Sequence, residues 1–140
     1  MIGVLVVAHG DLGKALLDSI GIIAGKVECA DSVGLHHGDS PDEFRTKIQK
    51  AAMALDTGKG VLVLVDFFGG TPGNETLKCL ANHEMKVLSG VNMAMLLEVV
   101  VHRAFITDIE ELSKLALESG KTSIQDLNQI YEKMIEKAGD

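Results

Sequence analysis

The chain opens on a nearly unbroken apolar run, IGVLVVA at residues 2–8, and the run stops at His9. A stretch this short, this uniform and this rich in β-branched side chains predicts a strand covered on both faces. From Asp11 the period changes. Leu12, Ala15, Leu16, Ile20 and Ile23 recur at helical spacing, and Gly25 closes the helix. Weak alternation over 27–35 predicts a second strand. GDSPDEF at 38–44 then starts a helix by three signals at once. Ser40 caps it, Pro41 takes the first helical position and Glu43 completes a capping box. Ile48, Ala52 and Leu55 continue its apolar face.

After the turn DTGKG, VLVLV at 61–65 predicts a deeply buried third strand. DFFGGTPGNE follows at 66–75, with a helix expected from Pro72 to about Ala81. Val87 and Leu88 mark a short fourth strand. Asn92 caps a helix carrying Met93, Met95, Leu96, Leu97 and Val100, its methionines read as core filling. The pattern beyond Thr107 predicts a helix over 109–119, a break at Gly120, a polar stretch KTSIQ at 121–125, and an amphipathic helix to about Ala138.

Strands alternating with helices predict an α/β fold, a doubly wound, mostly parallel sheet of four strands with helices on both faces. No repeat, low-complexity tract or linker divides the chain, so residues 1–140 read as one domain. Residues from about 108 to 140 have no evident place in a four-stranded sheet. They pack either on the domain or on a second subunit.

Composition sharpens this picture. Apolar residues make up 46% of the 140, aromatics only 4%, and there is no Trp, so the core is aliphatic. A net charge of −7 would repel a phosphate backbone, which excludes general nucleic-acid binding. The longest apolar runs fall well short of a membrane span, and Met1 leads straight into the first strand, so a cytoplasmic location is expected. Cys29 and Cys79 lie far apart without metal-ligand spacing and read as small buried hydrophobes. No metal and no cofactor is expected.

Candidate chemistry comes from where the strands end. In open α/β sheets ligands gather at the carboxyl ends of the strands, where strand order reverses. His9 ends the first strand and Asp66 the third, so the two meet if those strands are neighbours. A carboxylate accepting a hydrogen bond from one imidazole nitrogen fixes the tautomer and leaves the lone pair of the other nitrogen free. Such a histidine is a nucleophile, a general base or a metal ligand. Gly69 and Gly70 precede a helix for which Thr71 is the expected N-cap, and free amides at a helix N-terminus cradle anions. Histidine, carboxylate and anion cradle together point to phosphoryl transfer through a phosphohistidine. There is no Walker A lysine, no Gly-x-Gly-x-x-Gly fingerprint and no kinase signature, so another protein rather than a nucleotide is the expected donor.

Rival readings exist. A chelatase-like metal enzyme also uses a histidine after the first strand, and His36 or His37 could be recruited to it. Otherwise those two are a solvated loop pair or a rim contact for a partner. His83 and His102 read as surface or capping residues. A histidine phosphatase or mutase would place an arginine before His-Gly, where this chain has Ala8; its only arginines are Arg45 and Arg103. A receiver-type module phosphorylated on Asp66 would need an acidic cluster for Mg²⁺, and Asp11 alone is thin support.

Four segments carry a family resemblance: the first strand with AHG and His9, LVDFFGGTPGNE at 64–75, SGVNMAMLLE at 89–98, and LSKLALESGKTSI at 112–124. In this order and spacing the chain resembles the enzyme IIA component of the mannose-type sugar phosphotransferase system (PTS). The resemblance implies that His9 accepts a phosphoryl group from the carrier HPr, as a tele-phosphohistidine, and passes it to a IIB protein. IIB in turn phosphorylates the sugar imported by the membrane subunits IIC and IID. It further implies that Asp66 orients His9 and that Gly69, Gly70 and Thr71 hold the phosphoryl oxygens. A homodimer is expected, formed by exchange of a C-terminal segment, with a short antiparallel strand placed at KTSIQ. Some relatives fuse IIA to IIB; with the chain stopping at Asp140, IIB is expected as a separate polypeptide. The closest alternative family is the phosphohistidine relay subunit of dihydroxyacetone kinase, which carries a different loop in place of Gly69-Gly70-Thr71-Pro72.

Overall fold

A computed structural model describes residues 1–139. Four strands, β1 (Gly3–His9), β2 (Ala30–Leu35), β3 (Val61–Val65) and β4 (Lys86–Ser89), form one sheet in the order β2-β1-β3-β4. Every neighbouring pair is parallel. β1 and β3 are central, so their near-continuous apolar sequence is covered on both faces, as parallel sheets require.

Side chains alternate cleanly between two cores. Ile2, Val4, Val6, Leu62 and Leu64 face one side, packed with Ile20 of α1 (Leu12–Ala24), with Leu96 and Val99 of α4 (Met93–His102), and with Leu112 and Ala116 of α5 (Ile109–Thr122). Leu5, Val7, Val61, Val63 and Val65 face the other, against Phe44 and Ile48 of α2 (Pro41–Leu55) and Cys79 of α3 (Thr71–Cys79). This is the doubly wound arrangement. α2 begins as its sequence demands: the Ser40 side chain accepts from the Glu43 amide, with Pro41 in the first turn. The Asn92 side chain likewise accepts from the Met95 amide and caps α4.

The buried Arg103, just beyond α4, donates to the carbonyls of Ile2, Cys29 and Glu28. It thus pins the amino-terminal ends of β1 and β2. Burial pulls its pKa down, opposed by the charges of Cys29 and Glu28.

Two expectations fail at the C-terminal end and one at α3. Gly120 does not break α5, which runs on to Thr122. Its role is close approach. A Cβ there would lie 3.0 Å from Met95 Cε, and the Gly120 carbonyl accepts from Asn92 Nδ2. The short antiparallel strand expected at 121–125 is not formed either. Lys121 and Thr122 complete α5, and the hydroxyls of Thr122 and Ser123 bond back to the carbonyls of Glu118, Ser119 and Gly120. Those bonds satisfy the helix end locally, and an extended strand would forfeit them. Of the two placements open to residues after 108, α5 takes the first and completes the core of its own chain. Only α6 (Leu127–Gly139) buries no residue. At α3, Thr71 is not the N-cap: it is the first helical residue and Gly70 caps, without any side-chain cap bond.

Candidate functional site at the carboxyl ends of β1 and β3

β1 leads back through α1 to β2 on one side of it, and β3 lies on the other, so the crevice between the ends of β1 and β3 is the switch point of the sheet. Val7 pairs with Val65 in the β1–β3 register. The chain then leaves both strands, and His9 and Asp66 meet there.

Asp66 Oδ2 lies 2.6 Å from His9 Nδ1 and also accepts from the His9 amide at 2.9 Å. Asp66 Oδ1 accepts from the Phe67 amide at 3.0 Å. The carboxylate is nearly enclosed, its side chain 9% exposed, whereas the His9 side chain is 47% exposed. Burial alone would raise the Asp66 pKa. The hydrogen bonds from the His9 ring and from the His9 and Phe67 amides outweigh it, and the net direction is down. An ionised Asp66 therefore accepts a hydrogen bond from Nδ1–H, which in a neutral ring leaves the lone pair on Nε2.

Beside the ring stands the start of α3. A Cβ on Gly70 would come within 3.1 Å of His9 Cε1, so the loop backbone rests directly against the imidazole. Gly69 has φ +104, a conformation that glycine adopts without strain. No side chain caps α3 and Pro72 carries no N–H, so its first turn offers amides, Thr71 and Gly73 among them, to a ligand. The structure thus brings His9, Asp66 and Gly70 together, with Gly69 and Thr71 flanking Gly70 in the same loop.

On the far side of His9 an open cleft of about 470 Å³ is lined by His9, Gly10, Leu35, His36 and His37. Gly10, at φ +57, turns the chain away from β1 and donates its amide to Leu35 at 2.7 Å. That turn fits only because residue 34 lacks a side chain: a Cβ on Gly34 would sit 2.0 Å from the Gly10 carbonyl oxygen. His36 Nε2 is 3.7 Å from Asp11 Oδ1.

The arginines are far from this chemistry. Arg45 is bound to Asp42 and to the buried Glu75, which also pairs with Lys78, while Arg103 works at the other end of the sheet. A mutase-like phosphate clamp has no arginine to build on. Among the described residues no group of three or more His, Cys, Asp or Glu side chains is arranged to hold a metal ion.

Sequence reasoning missed one neighbour. The Phe67 ring stacks on the His9 imidazole, with centroids 5.4 Å apart and planes 12° from parallel. The available signal was compositional: two of only four phenylalanines stand together at 67–68, directly after Asp66.

Comparison with known proteins agrees with this geometry. Residues 3–117 match the family described as the PTS system fructose IIA component, the mannose-type EIIA family. The chain is 32% identical over 138 residues to the PTS system fructose-specific EIIA component of Bacillus subtilis (strain 168), covering 98% of this chain and 91% of that protein. It is 31% identical over 138 residues to the PTS system mannose-specific EIIAB component of Escherichia coli (strain K12), of which it spans only 42%. The phosphotransferase system component EIIA from Streptococcus agalactiae superimposes with a TM-score of 0.83 at 31% identity, covering 92% of this chain and 99% of that one. The chain therefore belongs to the mannose-type EIIA family, phosphoryl carriers of the sugar phosphotransferase system. No helix among the described residues is long and apolar enough to cross a membrane.

Proposed function

We propose that this chain relays a phosphoryl group through His9 Nε2, taking it from the phosphohistidine of HPr and giving it to a IIB partner. One observation carries the reading: Nδ1 is held by Asp66 at 2.6 Å while Nε2 stays free beside an uncapped helix N-terminus. The Nε2 lone pair forms the new N–P bond as the donor's N–P bond breaks, and the donor ring keeps the electron pair. The His9 ring gains positive charge as Nε2 bonds to phosphorus, and the Asp66 carboxylate stabilises it through the retained Nδ1–H. Amides of the loop from Gly69 to Thr71, together with the positive end of the α3 dipole, offset the charge of the phosphoryl oxygens. One N–P bond replaces another, so positioning and charge stabilisation supply the catalysis.

Partners that pass phosphoryl groups from phosphoenolpyruvate fit a cytoplasmic protein. The unburied stripe of Leu127, Tyr131 and Met134 on α6 supports a homodimer in which a second copy covers it. In this reading residues 1–140 act as one domain, with the dimer-forming part lying beyond α5.

The test is to incubate the protein with phosphoenolpyruvate, enzyme I and HPr and record the intact mass. The expected result is an acid-labile gain of one phosphoryl group, absent from His9→Ala. No gain in wild type, with active upstream proteins, overturns the relay.

A further inference from the structure

Phe67 sits in the strand-end loop next to Asp66, yet nothing in the relay chemistry calls for a benzyl group there. Its side chain is not core material, being 52% exposed in a chain whose aromatics make up only 4%. It lies nearly parallel to the imidazole at 5.4 Å, inside the 4.5–7 Å range of offset-stacked aromatic pairs. The backbone makes room for this arrangement. A Cβ at Gly70 would lie 3.0 Å from Phe67 Cζ and 3.1 Å from His9 Cε1, a tight fit that one of the rings would have to relieve by shifting a few tenths of an ångström. Gly70 has φ −96, so its backbone conformation does not require glycine. The space shared by the two rings favours it.

Resting on the relay reading above, we propose that Phe67 is a positioning residue. It clamps the His9 imidazole so that Nε2 is aimed along one direction, and Gly70 is side-chain free in order to admit the clamp. The hydrogen bond from Nδ1 to Asp66 fixes one point of the ring and its tautomer. It leaves the ring free to rock about the axis through Nδ1. A second ring lying flat against the first removes that motion while leaving the Nε2 edge open to a phosphoryl donor. Reacting atoms need a near-attack orientation, so the restraint acts on the rate of transfer rather than on recognition of the donor protein.

The experiment pairs a spectroscopic readout with a kinetic one, on wild type, Phe67→Leu and Phe67→Tyr. Phe67→Leu keeps apolar bulk and loses the π face; Phe67→Tyr keeps the face. In wild type the stack is expected to move the His9 ring-proton resonances away from those of a free histidine, upfield where a proton lies over the Phe67 face. Phe67→Leu is expected to return them towards the free value. It should also lower the rate at saturating phospho-HPr about two- to tenfold with KM unchanged, the rate equivalent of one aromatic pair. Phe67→Tyr is expected to restore both, and thermal melts of all three should agree. A Phe67→Leu protein with wild-type maximal rate overturns the clamp. So does one whose only defect is a raised KM, since that marks a docking contact. If wild type itself takes no phosphoryl group, the relay reading has failed. The ring-proton shift still reports whether the stack exists.

Discussion

The interiors of β1 and β3 and their carboxyl ends are adjacent in sequence but answer to opposite demands. Ile2 and the β1 side chains from Val4 to Ala8 are fully buried, and one residue later His9 is nearly half exposed. β3 changes in chemistry rather than in exposure: after the buried Val65 comes Asp66, a charged group whose side chain is still only 9% exposed. The interiors are interchangeable aliphatic material whose worth is burial. The ends are particular groups whose worth is direction: one ring nitrogen held, the other released. Stability and chemistry are thus divided along each strand at a single peptide, and the two should be separable by substitution.

His9→Ala tests that separation most severely. Phosphorylation should be lost entirely while the melting temperature stays within about 2 °C of wild type, because an exposed strand-end side chain contributes little to folding. A large drop in stability would show that the division is not real. Leu62→Ala is the mirror image. It should cost about 2–5 kcal/mol in denaturant unfolding, through lost burial and a residual cavity. At temperatures where it remains folded, the transfer rate should be near that of wild type.

Asp66→Asn falls between the two. Losing a charge-assisted hydrogen bond should slow transfer about 10- to 100-fold, read by rapid-quench phosphorylation with HPr as donor. The same variant sharpens the stability side. Asp66 titrates below the ordinary carboxylate value of about 3.9 in the folded protein, so it binds protons less readily there than when unfolded. Its stabilising contribution is therefore full above that value and is lost as pH falls through the folded pKa. Denaturation of wild type and Asp66→Asn should differ by a constant amount at neutral pH and converge in acid. Thr71→Ala should have the mildest effect, slowing transfer about two- to fivefold, since the backbone amides of its loop remain.

How much of this was legible in the sequence follows the same line. The uniform apolar runs at 2–8 and 61–65 announce buried parallel strands, and their abrupt ends mark His9 and Asp66. Pairing those two residues required only that β1 and β3 be neighbours. The α3 loop was legible through its glycines, although Gly70 rather than Thr71 caps the helix. What could not be read was side-chain contact across the fold. Nothing in the order of residues says that the Phe67 ring turns onto His9 rather than away from it. Gly120 looked like a helix break because glycine lowers helix propensity, but it lies inside α5, where the Met95 side chain of a different helix packs closely against it. The polar stretch at 121–125 alternates too little to reveal that its hydroxyls would close α5 instead of extending.

Gly34 shows where a tolerance map of this protein would mislead. It touches no phosphoryl group and sits on β2, outside the loops that hold the chemistry. Yet any Cβ there would collide with the carbonyl of the turn directly behind His9. In a saturation library scored for phosphorylation of the protein, position 34 should be as barren as position 9, while Val33 beside it accepts other aliphatics. An observer ranking positions by intolerance would place Gly34 among the catalytic residues. It is instead the empty space against which the turn behind His9 is folded.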